Sequence, residues 1–454
     1  MPGALLQASN HFGQPAICDQ NGAYTREDIF AKAAQMAARI QQGGGKGKRF
    51  LVPYYNAEHF MATLLGIHQA DAVIVPCRQD SLADADYLHA LLHPAGMIEE
   101  SGAVQFYNAS STQDLGNIVL LTTGSTGNPK GVVLDLDQVV INCELAGARI
   151  GITDCDVWCA EVDLSFTSGL CHLLMAWINQ VPFHHIKYLD SGARNALFAK
   201  GKIGFGGSPI QLSKLTDQLN AAPLKFMSSG DFLPLAIIQK IRAKFPNTEI
   251  HKFYGLTEFA GRFCSVPSNM LDDYPDAAGL PLPGFDVSVR NEQSEEIPVG
   301  ETGQIWARSP LLMKGYIRQG QPFDAKKGWF NTRDIGFMND AGLITLLGRE
   351  DDVFKVGGEK VDRLSIENIL AGIMPADYVV LPYHHESFGT MPVLFTADHP
   401  RLPDWQTVRA HVAAHLPVRF VPMQGFILPT LPRTATGKIE RRALCDNISQ
   451  YRRF

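Results

Sequence analysis

The chain has 454 residues, 45% hydrophobic and 19% charged, enough apolar material for large cores, which excludes disorder as the main state and a single small binding module. Its formal net charge of −6 has the wrong sign for a protein that coats nucleic acid, so an anionic ligand must be held locally. The eight cysteines, at 18, 77, 143, 155, 159, 171, 264 and 445, form no CxxC pair and no disulfide framework, and reduced, mostly buried thiols are expected.

At the N-terminus MPGALLQASNHF has no basic region followed by an apolar run. The most apolar internal stretch, Gly169 to Val181, is short and interrupted by His172 and Asn179. A cytoplasmic protein without a membrane span is expected. Arg26 to Gln42 carries apolar residues at helical spacing, and GGGKGK at 43–48 reads as a loop. FLVPYY, AVIVPC and VVLDL read as strands, and Ser208 to Asn220 as a further helix. This alternation argues for α/β layers with largely parallel strands.

Between 270 and 310, short apolar runs separated by Gly/Pro turns suggest a β-rich, barrel-like part. From Gly348 onward, helical patterns around Arg363 to Leu370 and Trp405 to His415 alternate with the strand-like YVVLPY and QGFILP. The fold class is therefore α/β: a large N-terminal domain over 1–350, with layered α/β subdomains and the small barrel-like part, followed by a small α+β C-terminal domain over 351–454. Arg349 to Asp352 is the candidate linker. Residues 401–454 carry nine Lys/Arg against three acidic residues, a basic end on an acidic chain.

The most informative segment is Ile118-Val-Leu-Leu-Thr122-Thr123-Gly124-Ser125-Thr126-Gly127-Asn128-Pro129-Lys130-Gly131. An apolar strand runs into a loop of glycines, hydroxyls and one lysine, which offers unhindered N–H donors, O–H donors and a cation to a polyphosphate. It is not a Walker A loop, because Lys130 is followed by glycine and Pro129 breaks the spacing. Nor does Gly204-Phe205-Gly206-Gly207-Ser208-Pro209 complete a dinucleotide fingerprint.

TTGSTGNPKG resembles the signature loop of the adenylate-forming enzymes, which include acyl- and aryl-CoA synthetases and the adenylation domains of peptide synthetases. Four more segments match that family in its order: Tyr254-Gly255-Leu256-Thr257-Glu258, Asn331-Thr332-Arg333-Asp334, Gly348-Arg349-Glu350-Asp351 running into Lys355-Val356-Gly357-Gly358-Glu359-Lys360, and Pro432-Arg433-Thr434-Ala435-Thr436-Gly437-Lys438. The resemblance implies an ATP-dependent ligase that joins a carboxylate to AMP, releases pyrophosphate, and passes the acyl group to a pantetheine thiol of CoA or of an acyl carrier protein.

It further implies that Thr257 hydrogen-bonds the α-phosphate and that Glu258 helps to hold Mg²⁺, a hard cation that takes oxygen ligands; a helix-capping role for Thr257 is also compatible. Asp334 would accept both ribose hydroxyls, although an isolated Asp after Thr-Arg reads as a surface charge. Arg349 would add a ribose or phosphate contact. Gly230 and Asp231, with Tyr254 and Gly255, would form the adenine site, and Asp231 also suits a turn. Asp351 matches the hinge position, against a solvated linker residue. Lys438 would bridge carboxylate and phosphate as charge develops between them, against a lysine on a basic solvated loop. The C-terminal domain would be mobile, its rotation exchanging Lys438 for the Gly357-Gly358 loop at a thiol tunnel.

Val162 to Leu170 falls where the family places its acyl-pocket wall and gate. In one register Asp163 pairs with a substrate amine; in the other Phe166 replaces the gate and no amine reader is implied, which Gly169-Leu170 favours. A strand-end role for Asp163 also remains. The segment before the phosphate loop is short for the family, which points to a modest pocket for an aryl or short-to-medium acyl acid. The basic end suits the CoA phosphates or an acidic carrier protein, or is simply a solvated face. Rival readings are amino-acid activation and a non-catalytic binder of AMP or acyl adenylate, the latter disfavoured because Glu258, Asp334 and Lys438 are all present. The adjacent His184-His185 and His384-His385 point apart on a strand and give no metal site.

Overall fold

A computed structural model describes residue 5 and residues 13–107, 116–123, 129–356, 359–385, 389–433 and 439–454. Packing divides the chain into two compact units. The first comprises Met1–Ser288, Trp306–Phe330 and Asn339–Thr345, and the second Val289–Ile305, Asn331–Met338 and Leu346–Phe454. The architecture is the expected one, a mixed α/β protein with large N-terminal sheets and a small C-terminal α+β part.

Local signals set many boundaries in the first unit. The helix Arg26–Gln42 begins where the Thr25 hydroxyl accepts from the Asp28 N–H while the Asp28 carboxylate accepts from the Thr25 N–H, an arrangement worth about 1 kcal/mol. Ile29, Ala33, Met36, Ala37 and Ile40 then bury one stripe of it. A second sheet element, β1 (Ile118–Thr123), forms an antiparallel hairpin with β2 (Pro129–Leu134), Thr122 lying opposite Lys130. The run VVLDL departs from its strand reading: β2 stops at Leu134, Asp135 opens helix α1 (Leu136–Ile150), and the Gln138 side chain accepts from the Asp135 N–H. An acidic cap after an apolar run ends the strand there.

The apolar stretch at 169–181 lies within helix α2 (Thr167–Ile178), buried on nearly every face from Gly169 to Trp177, which is why it lacks a polar stripe. In the neighbouring sheet, the strands Val157–Ala160 and Ile203–Gly207, β3 (Lys225–Ser228) and β4 (Glu249–Tyr254) run parallel, and β5 (Cys264–Val266) returns antiparallel to β4. Phe205, Phe226, Ile250 and Val266 share one core on one face of this sheet. Ligand-binding loops in open parallel sheets leave the C-terminal ends of the strands. The segments around Asp163, Gly230 and Thr257 all leave such ends.

The second unit contains a four-stranded sheet of Tyr378–His385, Gly389–Ala397, Gln424–Leu428 and Arg452–Arg453. Val380 and Leu394 face Ile366, Leu370, Val408 and Val412 of the helices Arg363–Leu370 and Trp405–Ala413. Val379, Leu381, Val393 and Phe395 face Leu444 on the opposite side, as strand alternation requires.

Candidate active site

In the first unit the loop after β4 is folded tightly. At Gly255 a Cβ would come within 1.8 Å of the Gly261 carbonyl oxygen, so only glycine fits. Thr257 to Phe259 make one 3₁₀ turn, ended by Ala260 at φ 59°. Asn142 of α1, fully buried, pins the returning strand: its Nδ2 donates to the carbonyls of Phe259 (3.3 Å) and Arg262 (2.5 Å), and its Oδ1 accepts from the Arg262 N–H (3.0 Å). Nothing in the local sequence marked Asn142, because its partners lie more than a hundred residues away.

Thr257 does not cap a helix. The cap position belongs to Leu256, and the Thr257 hydroxyl lies 2.9 Å from the Thr167 hydroxyl at the start of α2. Glu258 Oε1 accepts from the Tyr316 hydroxyl at 2.6 Å and from Lys130 Nζ at 3.2 Å. Lys130 in turn lies 3.8 Å from the centre of the Tyr316 ring. Tyr316 reaches this position because Gly315–Ile317 pairs with β2, placing Tyr316 opposite Val132. Burial and the adjoining Glu258 carboxylate push the Tyr316 hydroxyl well above its ordinary range, so it remains a donor. Neither Tyr316 nor Thr167 was marked as a site residue by sequence, although Thr167 stands in the gate segment.

On the acyl side, Asp163 Oδ1 accepts from both the N–H (3.0 Å) and the hydroxyl (2.7 Å) of Ser165. Phe166 immediately precedes α2, with the Arg78 guanidinium carbon 5.8 Å from its ring centre. After β3, Gly230 takes φ 90° and Asp231 accepts from the Phe232 N–H at 2.8 Å, the turn role open to it. The buried hydroxyls of Ser228 and Ser229 lack partners there. The Tyr254 ring packs on Phe263 at 4.6 Å between centres.

At the end of β1 the Thr122 hydroxyl is buried without a partner, and the backbone of Thr123 lies opposite Pro129. Gly124, Ser125, Thr126 and Gly127 lie outside the described residues, as do Gly357, Gly358 and Lys438.

The second unit brings Asp334 and Arg349 together. Asp334 is buried, and Arg349 Nε lies 3.4 Å from its Oδ1. The preceding motif residues hold it: Asn331 Nδ2 donates to Gln304 Oε1 (3.0 Å), the Thr332 hydroxyl donates to the Ile305 carbonyl (2.7 Å), and the Asp334 N–H donates to Thr332 Oγ1 (3.1 Å). Asp351 lies in a 3₁₀ turn, Glu350–Asp352, and its side chain is outside the described residues. Its neighbour Asp352 is buried and bound by Arg363 (3.2 Å) and Arg441, a contact that local sequence did not reveal.

An orphaned hydroxyl at Thr122, next to a lysine-bearing hairpin, suits an anionic acceptor group such as a phosphate. No cluster of three or more His, Cys, Asp or Glu side chains poised for a metal occurs among the described residues. A cation here would rest on Glu258 and on a nucleotide's own oxygens, an arrangement that suits Mg²⁺.

The AMP-binding enzyme family matches residues 99–317. The 2-succinylbenzoate–CoA ligase of Lactococcus lactis subsp. lactis is 26% identical over 333 residues, covering 72% of this chain and 70% of that protein. The D-alanine–D-alanyl carrier protein ligase of Bacillus velezensis is 25% identical over 362 residues, covering 73% and 70%. Among solved structures, ATP-bound MatB from Rhodopseudomonas palustris shares the fold with a TM-score of 0.85 at 22% identity, over 98% of both chains. The O-succinylbenzoate coenzyme A synthetase (MenE) of Bacillus subtilis, in complex with ATP and magnesium ion, does so with a TM-score of 0.80 at 18% identity, over 97% and 99%. No helix of the described residues is long and apolar enough to cross a membrane. Residues 99–317 thus carry the AMP-binding enzyme match, and the chain is an adenylate-forming acid–thiol ligase.

Proposed function

We propose that the reaction runs in two steps on an acyl or aryl acid of modest size. A carboxylate oxygen attacks the α-phosphorus of ATP, forming acyl-AMP and releasing pyrophosphate. The sulfur of a pantetheine thiol, on CoA or on an acidic carrier protein, then attacks the acyl carbon; AMP leaves and the thiol proton passes to solvent. The observation that carries this reading is the convergence of Thr257, Thr167, Glu258, Lys130 and Tyr316 at one loop.

Each group has a task that its geometry supports. The Thr257 hydroxyl, now sharing a hydrogen with Thr167, can turn to donate to an α-phosphate oxygen. Lys130 and Tyr316 hold the Glu258 carboxylate in one orientation, where it would take Mg²⁺. The bound cation would neutralise phosphate charge. Thr122 supplies a waiting hydroxyl at the entry to the Gly124–Gly127 loop, which would cradle the β- and γ-phosphates. Gly230, Asp231, Tyr254 and Gly255 would receive adenine, and Asp334, steadied by Arg349, would accept the ribose hydroxyls. Lys438 would neutralise the reacting oxygens in the first step, and rotation about Asp351 would bring Gly357-Gly358 to the thiol in the second. The domains at work would be 1–350 and 351–454.

Asp163 already accepts two hydrogen bonds from Ser165, which disfavours an amine reader and supports the register in which Phe166 stands at the gate. The test is acid-dependent pyrophosphate release with MgATP, run without thiol and then with CoA or a pantetheinylated carrier protein. Lys438→Ala should abolish acid-dependent release while leaving nucleotide binding intact. Unchanged release in that variant would overturn the assignment of Lys438.

A further inference from the structure

Asp352 closes the turn Glu350–Asp352, directly after Asp351, and its carboxylate is buried. Its two oxygens are taken by different elements. Oδ2 accepts from Arg363 Nη2 at 3.2 Å, and Oδ1 accepts from Arg441 Nη1. Arg363 begins the helix Arg363–Leu370 and is bound as well by Glu367 of that helix, which accepts in turn from the Val380 N–H of the sheet. This half of the cluster is local, and it seats the turn on the core of its own unit.

Arg441 has no such local reason to be there. It stands 89 residues from Asp352 and opens the short helix Arg441–Asp446, where a cation is opposed by the positive end of the helix dipole. Its side chain is 45% exposed, so water would solvate its charge without a carboxylate. What distinguishes position 441 is its place in the chain. Lys438 precedes it by three residues, and three residues span at most about 10 Å.

The residues on either side of 434–438 form a narrow stem. Arg433 pairs antiparallel with Ile439, and the Glu440 N–H donates to the Pro432 carbonyl at 2.8 Å. One leg is tied through Arg433 to Asp377 at 2.5 Å, next to the strand Tyr378–His385. The other leg is tied through Arg441 to the turn at Asp352. Leu444, fully buried against the sheet, fixes the helix that continues from this second leg.

We propose that Arg441 is a positioning residue for the first step. Its bond to Asp352 joins the base of the Lys438 stem to the turn, so that a backbone change at Asp351 and the arrival or withdrawal of Lys438 are one movement. The inference rests on the roles proposed for Lys438 and Asp351 and adds the link between them.

The experiment separates the two steps, on whichever of benzoate, 2-succinylbenzoate, butyrate and hexanoate the unsubstituted protein uses fastest. Arg441→Met should slow single-turnover pyrophosphate release about 10- to 100-fold, with the dependence on MgATP concentration unchanged and thioester formation from added acyl-AMP altered less than about twofold. Arg441→Lys should restore most of the loss, because an ammonium can still meet Asp352 Oδ1. Asp352→Asn should repeat the pattern, and combined with Arg441→Met it should be no slower than either variant alone. The Glu440 amide gives a reading that needs no acid and no folded Arg441→Met: its hydrogen exchange should quicken about tenfold in Asp352→Asn. Equal slowing of both steps in Arg441→Met, or unchanged Glu440 exchange in Asp352→Asn, overturns the link. Normal pyrophosphate release in Lys438→Ala overturns instead the role of Lys438, and with it the purpose of the tie.

Discussion

Two buried arginines, one in each unit, are held in opposite ways. Arg363 donates to both oxygens of Glu367 at 2.7 Å and to Asp352 at 3.2 Å, and Glu367 accepts as well from the Val380 N–H at 2.7 Å. Arg262, equally buried, stands beside the neutral His172 ring and the Cys171 thiol, which Cys143 first and then the charge and hydrogen bond of Arg262 draw down to about 7 against burial. A buried cation held by two carboxylates is fully compensated, whereas one met by a thiol is compensated only as far as that thiol ionises. The contrast predicts opposite responses to the same substitution. Arg363→Met should leave the buried Glu367 without its cation and Asp352 with Arg441 alone, and cost about 3–5 kcal/mol in urea denaturation of the second unit. Arg262→Met should leave the stability of the ligand-free first unit unchanged or raised. A comparable loss for both variants would erase the distinction.

The next largest effect tests the Thr257-Glu258 loop. Glu258→Gln preserves shape and the Tyr316 contact but removes the charge, and should lower kcat/KM for pyrophosphate release about 100- to 1000-fold, with little change in melting temperature. Asn142→Ala should act the other way, chiefly on stability. It orphans the Arg262 N–H and two carbonyls in a buried setting, at a cost of about 1–3 kcal/mol by thermal or urea unfolding.

These contacts separate what sequence could reveal from what it could not. Periodicity recovered the helix at Arg26–Gln42 to the residue and placed a second around Arg363 to Leu370, where the helix Arg363–Leu370 lies, because the signal is local. The Thr257-Glu258 loop was legible as a motif, and so was the pairing partner of Asp334 by its place in the next one. Tyr316 and Asn142 were not, since a hydrogen bond over 58 or 120 residues leaves no trace in spacing. VVLDL was misread at its end because Leu136 looks equally apolar in a strand and in the first turn of a helix. Arg262 was passed over for a further reason: an arginine between Gly261 and Phe263 gives no sign that it is buried.

Histidine offers a smaller version of the same contrast, and a pH test. His185 is buried like His172, but both its nitrogens are engaged: Nε2 lies 3.1 Å from the Val162 carbonyl and so carries the proton, while Nδ1 accepts from the Tyr54 hydroxyl at 3.0 Å. Burial is the main cause that pushes its pKa down to about 4; the Val162 carbonyl and Asp19 oppose the shift and Lys187 adds to it. Between that value and the ordinary 6.5 the unfolded chain binds a proton that the folded chain refuses, so stability is full above pH 6.5 and falls as pH drops toward 4. From pH 7 to pH 5 this one group should remove about 1–2 kcal/mol. His185→Gln keeps a donor for Val162 and an acceptor for Tyr54 without a titrating proton, so its urea-unfolding free energy should decline less over that interval than that of the unsubstituted chain. Parallel pH profiles for the two proteins would show that His185 titrates alike in both states, and the engaged ring would then differ from His172 in hydrogen bonding alone.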